Sequence, residues 1–146
     1  MTDLSQLLVG ESRSAVVADL AAFVEHTVSE QSGITGMALK GGVGAAKKVK
    51  ASIVPSGINR MLPEMLGEMQ PYWEQFLASG QEDFGQYLNP KAGEVSDAIL
   101  RVADKHAETI NVPALQKVYQ SLRGRAGKIM SPHVPELARI LQRHMS

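Results

Sequence analysis

The residues of this chain best suited to chemistry are a glycine-lysine run, four histidines and a close pair of glutamates. The run Gly41-Gly42-Val43-Gly44-Ala45-Ala46-Lys47-Lys48 has the composition of a phosphate cradle. A phosphate loop needs a strand before it and a Lys-Ser/Thr pair opening the helix after it. Here the flanks are helical in pattern and the Ser/Thr is missing. On a helical wheel Gly42 falls with Ala38, Leu39, Ala45, Ala46 and Val49 on the inner face. Gly41 and Gly44 fall with Lys40, Lys47 and Lys48 on the outer one. The simplest expectation is that Gly42 admits a neighbouring helix. Together the three glycines weaken the helix by about 2–3 kcal/mol relative to alanine.

The cations themselves carry more information. Lys40, Lys47 and Lys48 share one face, with Lys50 and Arg60 following, and no carboxylate interrupts residues 36–63. Further on, Lys117, Arg125 and Lys128 lie opposite an apolar stripe, with Arg123, Arg139 and Arg143 nearby. Facing the same way, the two groups would form a surface able to contact phosphates with steep salt dependence. No helix-turn-helix pattern and no interleaved exposed aromatic accompanies them. An ion-paired or solvated face is the simpler expectation.

A metal site asks for three or four converging ligands. His26 with Glu30 and His133 with Glu136 supply two each, and no Glu-x-x-His pair of the di-iron type is present. His26 and Glu30 read as a surface pair on one helix, and His106 continues an apolar stripe as a core residue would. Glu64 and Glu68 sit on the wet side of a helix whose inner face is Met65, Leu66 and Met69. No catalytic triad can be assembled from local motifs. We therefore expect no metal, no cofactor and no catalytic residues. The four-residue spacing of Met61, Met65 and Met69, beside Trp73, suits either core filling or a groove for an apolar ligand or partner helix. Trp73 is expected to anchor the core or a subunit interface.

The elements that must hold these residues are helical throughout. Val16, Leu20, Phe23, Val24 and Val28 make one stripe of three- and four-residue spacing. Val54, Ile58, Met61, Met65, Met69, Tyr72 and Phe76 make a longer one. Leu115, Val118, Tyr119, Leu122, Ala126 and Ile129 make a third. That is the period of a helix with one buried face, and no segment alternates with the two-residue period of a strand. Thr2 or Asp3 is placed to cap a short first helix ending by Gly10. Ser12 or Ser14 then caps a long helix to about Gln31, stopped by Ser32-Gly33. A third segment spans about 36–48, and a fourth runs from Ser52 to Ser79-Gly80. Within the fourth, Pro63 and Pro71 predict a kink or break near Leu62-Pro63 and another near Pro71. A short turn carries Phe84, Tyr87 and Leu88. Helices follow over about 91–109, from Asn111 to about Met130, and from Ser131-Pro132 onward. With no repeat and no long linker, residues 1–146 are expected to form an all-α, single-domain bundle of six to eight helices with a kinked or broken central helix.

Composition narrows the class further. The chain has 146 residues, 44% of them hydrophobic and 21% charged, as a globular protein does. It holds no cysteine, which excludes disulfides, thiolate metal sites and cysteine nucleophiles. There is no basic signal-like start and no apolar run of membrane-spanning length, so a cytoplasmic location is expected. Net charge is zero but unevenly spread. Residues 1–35 hold five acids and one base, 36–63 five bases and no acid, 64–114 nine acids and three bases, and 115–146 six bases and one acid. Such blocks suggest acidic helices lying beside basic ones, within a subunit or between subunits.

Three stretches have a familial look: Ser32-Gly33-Ile34-Thr35-Gly36 leading to Ala46-Lys47-Lys48-Val49-Lys50, Ile58-Asn59-Arg60-Met61-Leu62-Pro63-Glu64 through Tyr72-Trp73, and Asp83-Phe84-Gly85-Gln86-Tyr87-Leu88. Together they resemble a family of small uncharacterised actinobacterial proteins of unknown function. The resemblance implies one cytoplasmic helical domain and assigns no cofactor or catalytic residue. The residues themselves favour a non-catalytic protein acting through self-association or a protein partner. The alternatives are nucleic-acid binding through segments 36–63 and 115–146, and carriage of an apolar small ligand near Met65 and Trp73. Candidate binding residues are accordingly Lys40, Lys47, Lys48, Lys117, Arg125, Lys128, Met65 and Trp73.

Overall fold

A computed structural model describes residues 3–145, and among them no strand occurs. A 3-10 turn, Leu4–Leu8, leads into α1 (Gly10–Glu30), α2 (Gly33–Val49) and the long α3 (Ile53–Ser79). The single-turn α4 (Phe84–Leu88) is followed by α5 (Ala92–Ala107), α6 (Pro113–Met130) and α7 (Val134–Met145). The apolar periodicity is thus realised as helices throughout.

Several boundaries differ from the expected ones for reasons of backbone geometry. The preceding helices stop just before Gly10 and Gly33 as expected, and the same two glycines begin α1 and α2, with φ of 59° and 69°. A positive φ, cheap only for glycine, reverses the chain in one residue and lets the next helix start at once. Ser12 and Ser14 therefore lie inside α1, whose N-cap is Val9 and has no side-chain cap. The N-cap of α6 is Val112 and not Asn111. Gly80 at φ 77° does end α3. Asp3 caps the first turn through the Ser5 amide at 2.8 Å; Thr2, the other cap candidate, lies outside the described residues.

The expected break near Leu62-Pro63 is absent, since α3 continues as helix through both Pro63 and Pro71. A proline strands the carbonyl four residues earlier, here that of Asn59. Arg13 of α1 takes it up: one terminal guanidinium nitrogen donates to the Asn59 carbonyl at 2.9 Å, and Nε donates to the Asn59 side-chain oxygen at 2.7 Å. Leu62, Met65, Leu66, Met69, Trp73 and Phe76 are buried on both sides of the prolines, so one stripe holds the whole helix to the core.

That core gathers α3 with Leu4, Leu7, Val16, Leu20, Phe84, Val95, Ile99 and the inner face of α7. Trp73 meets Phe76 and Phe84 at centroid distances of 5.3 and 5.0 Å, a geometry that adds about 0.5–1.5 kcal/mol per pair beyond simple burial. Asp83 caps α4 through the Gly85 and Gln86 amides and also receives Arg139 of α7. Gln142 completes the clamp, accepting from the Phe84 amide at 2.9 Å and donating to the Glu82 carbonyl at 2.7 Å. No helix among the described residues is long and apolar enough to cross a membrane.

Candidate functional site

Two helices without a single carboxylate, α2 and α6, pack against each other. The contact is close because of one glycine. A Cβ at position 42 would stand 3.0 Å from both Val118 Cγ1 and Leu122 Cδ1, so the inner-face reading of Gly42 holds. Of its wheel companions, Ala45 and Val49 prove exposed. The α6 stripe Leu115–Ile129 is half-buried throughout, because α6 lies on the outside and packs mainly on α2 and α5.

The cations divide into paired and unpaired. Lys47 donates to Glu25 of α1 at 2.6 Å. Arg123 grips Asp104 of α5 with two nitrogens, at 2.7 and 3.0 Å, and the Tyr119 hydroxyl donates to the same carboxylate. The Arg123 hydrogen bond, then that of Tyr119, holds the Asp104 carboxyl below its ordinary pKa. Burial first, and the anionic Asp104 second, push the Tyr119 phenol up. These contacts are the acid-beside-base packing that the charge blocks suggested, and they tie α2 to α1 and α6 to α5. Lys40, Lys48, Lys117, Arg125 and Lys128 are exposed, and among the described residues none has a carboxylate partner. Neighbouring helices therefore present five unneutralised charges, with no acid on either helix to interrupt them.

The outer face of α2 carries a second feature that the sequence reading did not single out. Ile34 and Met37 are 78% and 76% exposed, while Gly41 and Gly44 have open space where a Cβ would stand. On the wheel Lys48 falls between them. The signal was available in the sequence: an outer helical face holding isoleucine, methionine and glycines and no acid is unusual for a solvated surface.

The remaining candidates lie elsewhere. Met65 and Trp73 are buried in the core cluster, away from the α2/α6 surface. Each histidine stands beside one carboxylate: His26 at 3.2 Å from Glu30, His106 at 3.0 Å from Glu64, His133 at 3.9 Å from Glu136, His144 at 2.5 Å from Asp19. Among the described residues no three His, Asp or Glu side chains converge as a metal ion requires. His106 and Lys105 share Glu64, and His144 and Arg143 share Asp19, so both sets clasp helix to helix. Two depressions on the surface are open to solvent. One lies between α1 and α3 around Arg13, Ser14, Ser56 and Asn59, the other around Asp104, Gln116 and Tyr119.

Comparison with known proteins places the chain in a family. The model of a family of unknown function, DUF6918, matches residues 4–145. The chain belongs to that family. The match spans every helix described above, α2 and α6 included. No curated protein and no solved structure gives a match.

Proposed function

We propose that this member of the family is a non-catalytic cytoplasmic protein that acts by associating with itself or with a protein partner. In this reading residues 1–146 form one domain of six to eight helical pieces, and α3 bends at Pro63. The observation that carries it is the outer face of α2, where Ile34 and Met37 stand bare beside unpaired lysines. Large apolar side chains grouped on a helix face cost little when a partner covers them and mark interaction surfaces more often than solvated ones. Light scattering across protein concentration and salt, with mass analysis of whatever copurifies, tests the reading. A strict monomer without any copurifying protein sinks it.

A second reading is supported by the adjacency of α2 and α6, which joins the basic segments 36–63 and 115–146. Five unpaired cations on neighbouring helices suit a phosphate backbone. Gel retardation that weakens steeply with salt is the expected sign, and no retardation at low salt ends this reading.

A further inference from the structure

The chain carries, on another pair of helices, the electrostatic complement of the α2/α6 surface. Outward residues of α3 and α5 include Glu68, Glu74, Glu94 and Asp97, all exposed and without ion-pair partners among the described residues. Tyr72 shows where they meet. Its phenol is half-buried and feels the charges of Glu94 and Glu68 and, with opposite sign, of Arg101. Glu64, held by Lys105 and His106, fastens the two helices side by side. The chain as a whole holds as many acids as bases, so its net charge is zero while these two surfaces carry charge of opposite sign.

We infer that the α2/α6 surface docks the acidic α3/α5 surface of a second copy of this chain. Bare Ile34 and Met37 supply the apolar centre of the contact, and Lys40, Lys48 and Arg125 face the carboxylates around Tyr72. Charge complementarity chooses the occupant: two α2/α6 surfaces brought together would oppose cation to cation, at a cost that disfavours a symmetric pairing. The contact therefore joins two different surfaces, head to tail, and extends until it closes into a ring or runs on as a string. The inference rests on the proposed associative function and specifies its partner and its two faces.

Sedimentation velocity on the full chain tests it. At roughly 50 mM salt the average mass should rise with concentration, and roughly 500 mM salt should return it to the monomer. The double variant M37D/K48E changes only exposed side chains, and E68K/E94K reverses the other face; circular dichroism and thermal unfolding establish that both fold. Each alone should be monomeric, its dissociation constant raised at least about tenfold. Mixed together, they should associate again, because one intact surface remains on each. A wild-type monomer at low salt overturns the inference, as does a mixture that stays monomeric. Wild-type association that neither variant disturbs overturns these two faces while leaving the associative function standing.

Discussion

The Arg13 guanidinium reaches across from α1 and donates to the main-chain carbonyl of Asn59 at 2.9 Å, the carbonyl that Pro63 leaves without a helical partner. One helix thus repairs the hydrogen-bond ladder of another. Removing the donor by Arg13→Met should lower stability by about 1 kcal/mol, as loss of a charged donor at a partly wetted carbonyl does. In a Pro63→Ala background the restored amide serves Asn59, and the same change should cost less. Urea unfolding of the four proteins measures the coupling; purely additive effects would show that Arg13 does not act on the proline defect.

Glycines divide by what stands above them. A Cβ at position 85 would stand 2.5 Å from the Pro135 carbonyl oxygen and 2.8 Å from Arg139 Nε. Backbone cannot retreat cheaply, so Gly85→Ala should push α4 off α7 and cost about 1–3 kcal/mol. At Gly44 nothing lies within 4 Å, and Gly44→Ala should raise stability by about 0.5–1 kcal/mol through helix propensity alone. Thermal or denaturant midpoints of the two variants should move in opposite directions.

Four helix-bridging carboxyls govern the acid limb of stability. Hydrogen bonds from His144 on Asp19, Lys105 on Glu64, Arg139 on Asp83 and Arg123 on Asp104 each hold the carboxyl below its ordinary pKa. The folded state therefore releases these protons more readily than the unfolded one. Their stabilisation is complete above the ordinary carboxyl range, about 4, and is lost as pH falls through the depressed values. Asp83→Asn should flatten the fall in unfolding free energy below about pH 4 and leave the shape of the curve near pH 7 unchanged.

Tyr119 should ionise well above the ordinary tyrosine range, since burial and Asp104 both oppose its phenolate. Ultraviolet titration of wild type should show the Tyr119 phenol ionising late, and Asp104→Asn should bring it forward. Tyr119→Phe leaves the two-nitrogen grip of Arg123 on Asp104 in place, so it should cost only about 1 kcal/mol.

What the sequence made legible was whatever is decided within a few residues. The helical periods, the stop at Ser79-Gly80 and the seating of Gly42 all follow from local spacing and chemistry. Gly10 and Gly33 mark the stops before them correctly, but that the same residues open α1 and α2 has no local mark, because a left-handed backbone serves either purpose. Pro63 suggested a break because its relief comes from Arg13, far off in the chain, with no local mark. The neighbourhood of α2 and α6 escaped for the same kind of reason. Pairing between distant segments is settled by global packing, and two basic helices side by side is not what charge alone would choose. Among the candidate residues, Lys47 gave no sign in the sequence that Glu25 would claim it, whereas Met65 and Trp73 lie in the core position their helical spacing allowed. Ile34 and Met37 stand exposed because no neighbouring element covers that side of α2, which is decided by packing and not by local spacing.

Trp73 is the chain's single indole, enclosed by rings from its own helix and from α4. Its light emission is consequently an internal gauge of whether the short α4 segment is seated. Loosening of that corner would shift the fluorescence to longer wavelength before the remainder of the bundle melts, so the protein comes equipped with its own optical probe.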